Sequence, residues 1–116
     1  VSIKPYALYG AKKLKTMTYG ASLTTVGAFA FAYCENMTEI IQTQTAANKL
    51  TTVGEYAFLG CSKLQSFYIG KILTNIDFSA FYGCIRIGEY ICDADNASFS
   101  VVEKDWYNKD RTRLIA

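Results

Sequence analysis

The chain contains no histidine. That absence removes the Ser-His-Asp and Cys-His nucleophilic arrangements and every imidazole metal site. Four cysteines are present, but none are spaced Cys-x-x-Cys, and the nearest two are Cys84 and Cys92. There is one proline and little low-complexity sequence, which argues against disorder. No apolar run approaches the ~20 residues that would span a bilayer as a helix. Twelve Lys and Arg are scattered among ten Asp and Glu, so no one-signed patch forms for a nucleic acid. Neither nucleic-acid binding nor direct membrane insertion is therefore expected. What remains is a 116-residue chain, 51% apolar, sufficient for one domain with a single elongated core.

That chain repeats itself. Leu50 to Ile69 returns with substitutions as Leu23 to Gln42 and as Leu73 to Cys92, and a degraded copy runs from Ile3 to Tyr19. A small-aromatic pair fixes the register: Ala30-Phe31, Ala57-Phe58 and Ala80-Phe81 superpose, with Ala7-Leu8 in the first copy. The offsets are 23, 27 and 23 residues, so the middle interval carries a four-residue insertion. In this register Cys34, Cys61 and Cys84 share a column with Ala11, and Leu14, Met37, Leu64 and Ile87 form another. Met17, Ile40, Phe67 and Tyr90 form a third. Self-similarity at a fixed period is the signature of a solenoid, whose units bury their apolar faces only by stacking on neighbours.

The pattern Leu-Thr-x-Ile/Val-Gly-x-x-Ala-Phe-x-x-Cys-x-x-Leu-x-x-Ile/Phe-x-Ile, clearest in Leu50 to Ile69, resembles the BspA-like branch of the leucine-rich repeat family. The resemblance covers nearly the whole chain, departing where Leu8 replaces Phe, Asp77 replaces Gly and Gln42 stands at an apolar position. It implies an α/β-type leucine-rich repeat solenoid: short parallel strands stacked into one sheet, mostly strand and irregular coil, little helix, and a β-hairpin-like C-terminal cap. It also implies a curved, non-catalytic scaffold in a secreted or surface-attached microbial protein.

Four short strands are predicted on one wall: Leu14 to Tyr19, Met37 to Gln42, Leu64 to Ile69 and Ile87 to Cys92. Ile3, Val26, Val53 and Ile76 share a column on the opposite wall, where irregular or short extended structure is expected and Gly27 permits a bend. Gln44 to Lys49 should bulge as a polar loop. The units fall at about residues 1–20, 21–47, 48–70 and 71–93, followed by the cap at 94–116. Within the cap, Phe99 to Tyr107 alternates as one strand, Asn108-Lys109-Asp110 turns, and Thr112 to Ile115 pairs back. Its physical role is to cover the last coil, and the first coil shows no equivalent cover. The chain starts with Val1 and its first repeat starts mid-unit at Ile3, so a fragment of a longer protein is expected.

Candidate chemistry is sparse. The column cysteines are expected to be reduced and buried, because stacked side chains point the same way and fit the disulfide dihedral badly. Asp93, Asp95 and Asn96 have the acidic character of a calcium loop but lack the glycine and terminal glutamate of an EF-hand, and are expected to form a solvated turn. Asn36-Met-Thr38 and Asn96-Ala-Ser98 match the N-glycosylation pattern. Glu39 and Glu89 share an outward column with Thr16 and Ser66, without an acid–base neighbour. No cofactor, metal or catalytic residue is expected, and the chain is not expected to be an enzyme.

The outward column Thr18, Ile41, Tyr68 and Ile91 carries more information. Three of its four residues are apolar or aromatic where water favours polar ones, and a contiguous stripe is a candidate contact surface. The alternative is a side-chain ladder that merely stabilises parallel strands. With Glu39, Ser66 and Glu89 flanking it, this face is the expected site for a protein or glycan partner of a recognition or adhesion module. A structural spacer or self-association repeat is the competing expectation, with the uncovered first coil as its contact.

Overall fold

The computed structural model describes residues 1–42, 48–102, 105–109 and 114–115. Its strands run in the order β1 (Ser2–Ile3), β2 (Thr16–Tyr19), β3 (Thr25–Val26), β4 (Glu39–Gln42), β5 (Thr52–Val53), β6 (Ser66–Ile69), β7 (Asn75–Ile76), β8 (Glu89–Cys92), β9 (Phe99–Val102) and β10 (Asp105–Asn108). The chain coils about four times, each turn contributing one two-residue and one four-residue strand. No helix occurs among the described residues, so the expected α/β label does not hold: this is a β-solenoid of strand and coil.

The repeat columns become parallel registers. On the short-strand wall β1, β3, β5 and β7 form one four-stranded parallel ladder, with Ile3, Val26, Val53 and Ile76 aligned. On the other wall the single expected sheet is divided. β2 pairs with β4 and β6 with β8, as two two-stranded parallel ladders. The division coincides with the four-residue insertion, which follows β4 and lengthens the coil before β6. A backbone bond from the Gln65 amide to the Thr38 carbonyl (3.1 Å) still joins the two pairs just ahead of the strands.

Gly27 serves a different purpose from the expected bend. A Cβ there would lie 2.5 Å from the Pro5 nitrogen and 2.8 Å from the Ile3 carbonyl oxygen. Glycine is needed because the neighbouring coil passes too close for any side chain.

The core runs along the coil axis. Phe31, Phe58 and Phe81 stack face to face at 5.3 Å spacing, with Phe31 and Phe58 wholly buried. Met37, Leu64, Leu23, Leu50 and Leu73 fill the space beside them. The first coil is less enclosed: Leu8 is 39% exposed where Phe31, its counterpart, is 0% exposed.

The loop expected at Gln44 to Lys49 lies largely outside the described residues, but Asn48 is an exception to its polar, outward character. It is buried, accepting from the Leu50 amide (2.9 Å) and donating to the Tyr19 hydroxyl (3.2 Å). Gln42, at its apolar column position, donates to the same hydroxyl at 2.6 Å. One polar cluster thus replaces the apolar contact that the column otherwise supplies.

The C-terminal segment also departs from expectation. Phe99 to Tyr107 is not one strand but two, β9 and β10, paired antiparallel with Trp106 opposite Val101. Leu114 returns to bridge Tyr107, and the Ile115 amide donates to the Trp106 carbonyl (2.7 Å). Trp106 is fully buried, stacked 6.0 Å from Phe67 and in ring contact with Phe81, Tyr90 and Phe99.

Candidate functional site

The expected face is assembled as its period-2 pattern requires. Thr18, Ile41, Tyr68 and Ile91 all point outward, with Ile41 39% and Ile91 45% exposed and Tyr68 half-buried. Thr18 lies opposite Ile41, and Tyr68 opposite Ile91, in their respective ladders. The flanking column follows: Glu39 and Glu89 are exposed and Ser66 is half-buried, opposite Glu89. Because the wall is split between β4 and β6, the face consists of two adjacent two-strand patches.

Tyr68 is fixed by its hydroxyl, which donates to Asp93 Oδ2 at 3.0 Å. Burial and the Asp93 carboxylate beside it push the Tyr68 phenol up to about 12, so it stays a neutral donor at ordinary pH. Asp93 is held below the usual carboxylate range, first by the Asp95 amide and then by this phenol.

The Asp93–Asn96 turn is closed by its own side chains. Asp93 Oδ1 accepts from the Asp95 amide (2.8 Å). Asn96 is 1% exposed, donates to the Gly70 and Leu73 carbonyls, and accepts from the Ser98 and Phe99 amides. Both polar ends of this amide are occupied, so the second glycosylation triplet is sealed in the fold. Asn36, of the first, is half-buried and bonds the Lys12 carbonyl and the Lys63 ammonium.

The cysteines form a ladder with an orientation the sequence did not show. Each column thiol donates to a carbonyl of the preceding coil: Cys34 to Leu8 (3.2 Å), Cys61 to Phe31 (3.0 Å) and Cys84 to Phe58 (3.0 Å). All four cysteines are free thiols; Cys34 and Cys61 are buried, while Cys84 and Cys92 are half-buried. The neighbouring Cys61 thiol and burial push Cys34 far up. For Cys61 the Cys34 thiol pulls down, but Cys84 and burial prevail and raise it to about 12. These are protonated hydrogen-bond donors rather than nucleophiles.

A groove of about 680 Å³ opens between β7 and the terminal strands, with Ile76, Phe78, Phe99 and Ile115 among its walls. Its Asp77 carboxylate accepts from the Ser79 amide (2.9 Å) and hydroxyl (2.6 Å), and that hydroxyl accepts in turn from the Tyr56 amide. This bonding closes a backbone turn and leaves the serine 6% exposed.

A second surface was missed from sequence. At the corners after β1, β3 and β5, Tyr6, Phe29 and Tyr56 hold left-handed backbone, with φ of 62°, 58° and 54°, and Tyr33, further along the same coil as Phe29, does so at 59°. That conformation costs a bulky residue roughly 1–2 kcal/mol. It aims their amides along the coil axis: Tyr6 donates to the Ala28 carbonyl, Phe29 to Glu55, Tyr33 to Leu59, and Tyr56 to the Ser79 hydroxyl. Tyr6, Phe29 and Tyr56 stack at 4.9 and 5.0 Å, and Ser79 ends their column. Tyr9 and Tyr33 (5.6 Å), and Tyr56 and Tyr82 (5.9 Å), meet edge to face. The sequence signal is the column two residues before the core Phe, aromatic in three of four coils.

The model of the BspA type leucine rich repeat region matches residues 1–104, in six copies. Among solved structures, a leucine rich cell surface protein of Faecalibacterium prausnitzii A2-165 superposes with a TM-score of 0.79 at 24% identity, over 91% of this chain and 26% of that one. The pneumococcal vaccine antigen PcpA superposes at 0.75 and 19% identity, over 89% and 25%. A leucine rich repeat protein of T. pallidum gives 0.53 and 20%, over 78% and 51%. The chain therefore spans about a quarter of the length of the first two. At these identities the likeness shows the fold. No curated protein matches the chain.

Proposed function

We propose, for a chain that belongs to the BspA-type leucine-rich repeat family, that it serves as a non-catalytic recognition module of a secreted or cell-surface microbial protein. The outward column of the long-strand wall engages a protein or glycan partner. One observation carries this: Ile41 and Ile91, either side of the anchored Tyr68, are exposed on strands whose inward residues Ile40 and Tyr90 pack, half-buried, against the core. A rigid apolar patch loses little conformational entropy on binding, and tyrosine adds contact area with a polar tip. The surface location rests on the family and on two neighbours, one a cell surface protein and the other a vaccine antigen.

In this reading β9 and β10 act as the cap. Trp106 covers the end of the phenylalanine stack, and Asn96 occupies the Gly70 and Leu73 carbonyls.

The test is a binding screen against extracellular host proteins and glycans, using the parent and the Ile41→Thr, Tyr68→Ser double variant. The face accounts for recognition when the variant loses the parent's ligands while keeping its unfolding midpoint. Equal binding by both proteins refutes it.

A second reading is self-association or spacing without a ligand, through the edge of the first coil. Association through that end is insensitive to the double variant and weakens when a covering coil is added upstream.

A further inference from the structure

The corner aromatics form a surface separate from the long-strand face, and their construction is unusual. Tyr33 occupies the column of Gly10, Gly60 and Gly83, whose φ values are 69°, 70° and 78°. Glycine adopts such backbone without penalty, so this column is built for glycine, and Tyr33 is the exception. Its ring is accommodated by the next coil: a Cβ on Gly60 would lie 2.7 Å from Tyr33 Cδ1. A left-handed backbone in one coil and a bare glycine in the next thus combine to hold a ring that remains 42% exposed. Tyr6, Tyr9 and Tyr82 are 57%, 48% and 51% exposed on the same ridge. Tyr33 and Tyr82 each meet one other ring, edge to face, so each keeps a face without an aromatic partner.

We propose that this tyrosine ridge is a second binding site, for a linear, uncharged oligosaccharide lying along the coil axis. Three features select that ligand. The first is size: four rings, Tyr6, Tyr9, Tyr33 and Tyr82, are about half exposed, with the partly buried Phe29 and Tyr56 between them, and at ~150–250 Å² a ring they offer on the order of 400 Å². A stable protein interface needs about 800 Å² per partner, whereas a narrow chain molecule needs less. The second is charge: the flanking residues Lys4, Lys12, Glu35 and Glu55 balance, and Lys12 pairs with Glu35 at 3.9 Å. A polyanion finds no counter-charge there. The third is chemistry. A sugar ring has an apolar C–H face to rest on an aromatic face and a hydroxyl edge to meet phenol tips, and tyrosine supplies both surfaces. From Tyr9 to Tyr82 the ridge crosses three coil spacings of ~4.8 Å, about the length of a short oligosaccharide.

The experiment titrates the protein with two series of linear oligosaccharides, disaccharide to hexasaccharide, one of neutral hexoses and one of N-acetylhexosamines. Binding is read by calorimetry and by tyrosine ring resonances. At least one series is expected to bind saturably, gaining affinity with length until the ridge is filled. Tyr33→Gly with Tyr82→Ser is expected to weaken binding about tenfold or more. Tyr33→Gly alone should fold with an equal or higher unfolding midpoint, because glycine suits φ 59°, so loss of binding is not loss of fold. Oligosaccharide binding that is kept in the ridge variant but lost in Tyr68→Ser would belong to the face assigned above and not to the ridge, which separates the two sites. The proposal is overturned if neither series binds at millimolar concentration, or if the ridge variant binds as the parent does. It is also overturned if the ridge substitutions alter only sedimentation or protein capture, which would make the ridge a contact for a second copy or another protein.

Discussion

At the residue scale the inward columns were legible because they repeat. Phe58 has like neighbours at 23 and 27 residues' distance, and it stacks between both. Phe58→Ala should cost about 3–5 kcal/mol, as truncation of a large core side chain does, measured from the denaturant midpoint. An unchanged midpoint would place the column outside the core. Corner residues were not legible, because alternation assigns direction only while the backbone stays extended. Once φ turns positive at Phe29 and Tyr33, the sign of φ decides where a side chain points. The cysteines lie between these cases: their shared burial follows from the column, but the thiol bond to the preceding coil does not. Burial beside the Cys84 thiol has a pH consequence. Cys61 is raised from 9.0 to about 12 in the fold, so its contribution to stability is complete below about pH 9 and lost as pH rises towards 12. The unfolding midpoint should therefore fall across that alkaline window, and fall less in Cys61→Ala. Quantitative alkylation at neutral pH should label Cys34 and Cys61 only after unfolding; rapid labelling of the folded protein would contradict the ladder.

At the element scale, all four long strands lie where the repeat placed them, each trimmed at its start: Thr16–Tyr19 within the expected Leu14 to Tyr19, for example. Their assembly was not legible. Equivalent residues imply equivalent stacking, yet β4 and β6 are not paired, and the continuous ladder forms on the short-strand wall instead. The terminal hairpin was misread for a related reason. Alternation continues through Phe99 to Tyr107 with no Gly, Pro or Asn to mark a turn, so two short strands look like one long one. Trp106 shows what the hairpin does to the coil stack: it lies against Phe67, Phe81 and Tyr90 with no exposure. Trp106→Ala should lower stability by about 3–5 kcal/mol and expose the end of the phenylalanine stack to an apolar dye. A midpoint within experimental error of the parent would show that the hairpin is dispensable to the stack.

At the scale of the whole molecule, the solenoid and the family were legible from one column pattern, because a coil that cannot bury its face alone must stack. A partner was not, since recognition depends on outward residues that the packing leaves free to vary. The coil stack presents two surfaces of different character: the Ile41, Tyr68 and Ile91 face, and the tyrosine ridge at the corners. The most direct measurement is a residue-by-residue map of backbone and methyl resonances, recorded on adding a ligand drawn from the protein and glycan screen. Recognition by the long-strand face predicts perturbations concentrated at Thr18, Ile41, Tyr68 and Ile91. It also predicts unchanged signals from the inward Met17, Ile40, Phe67 and Tyr90, and the loss of all shifts in the Ile41→Thr, Tyr68→Ser variant. Perturbations confined to the first coil, or shifts that persist in that variant, would contradict it.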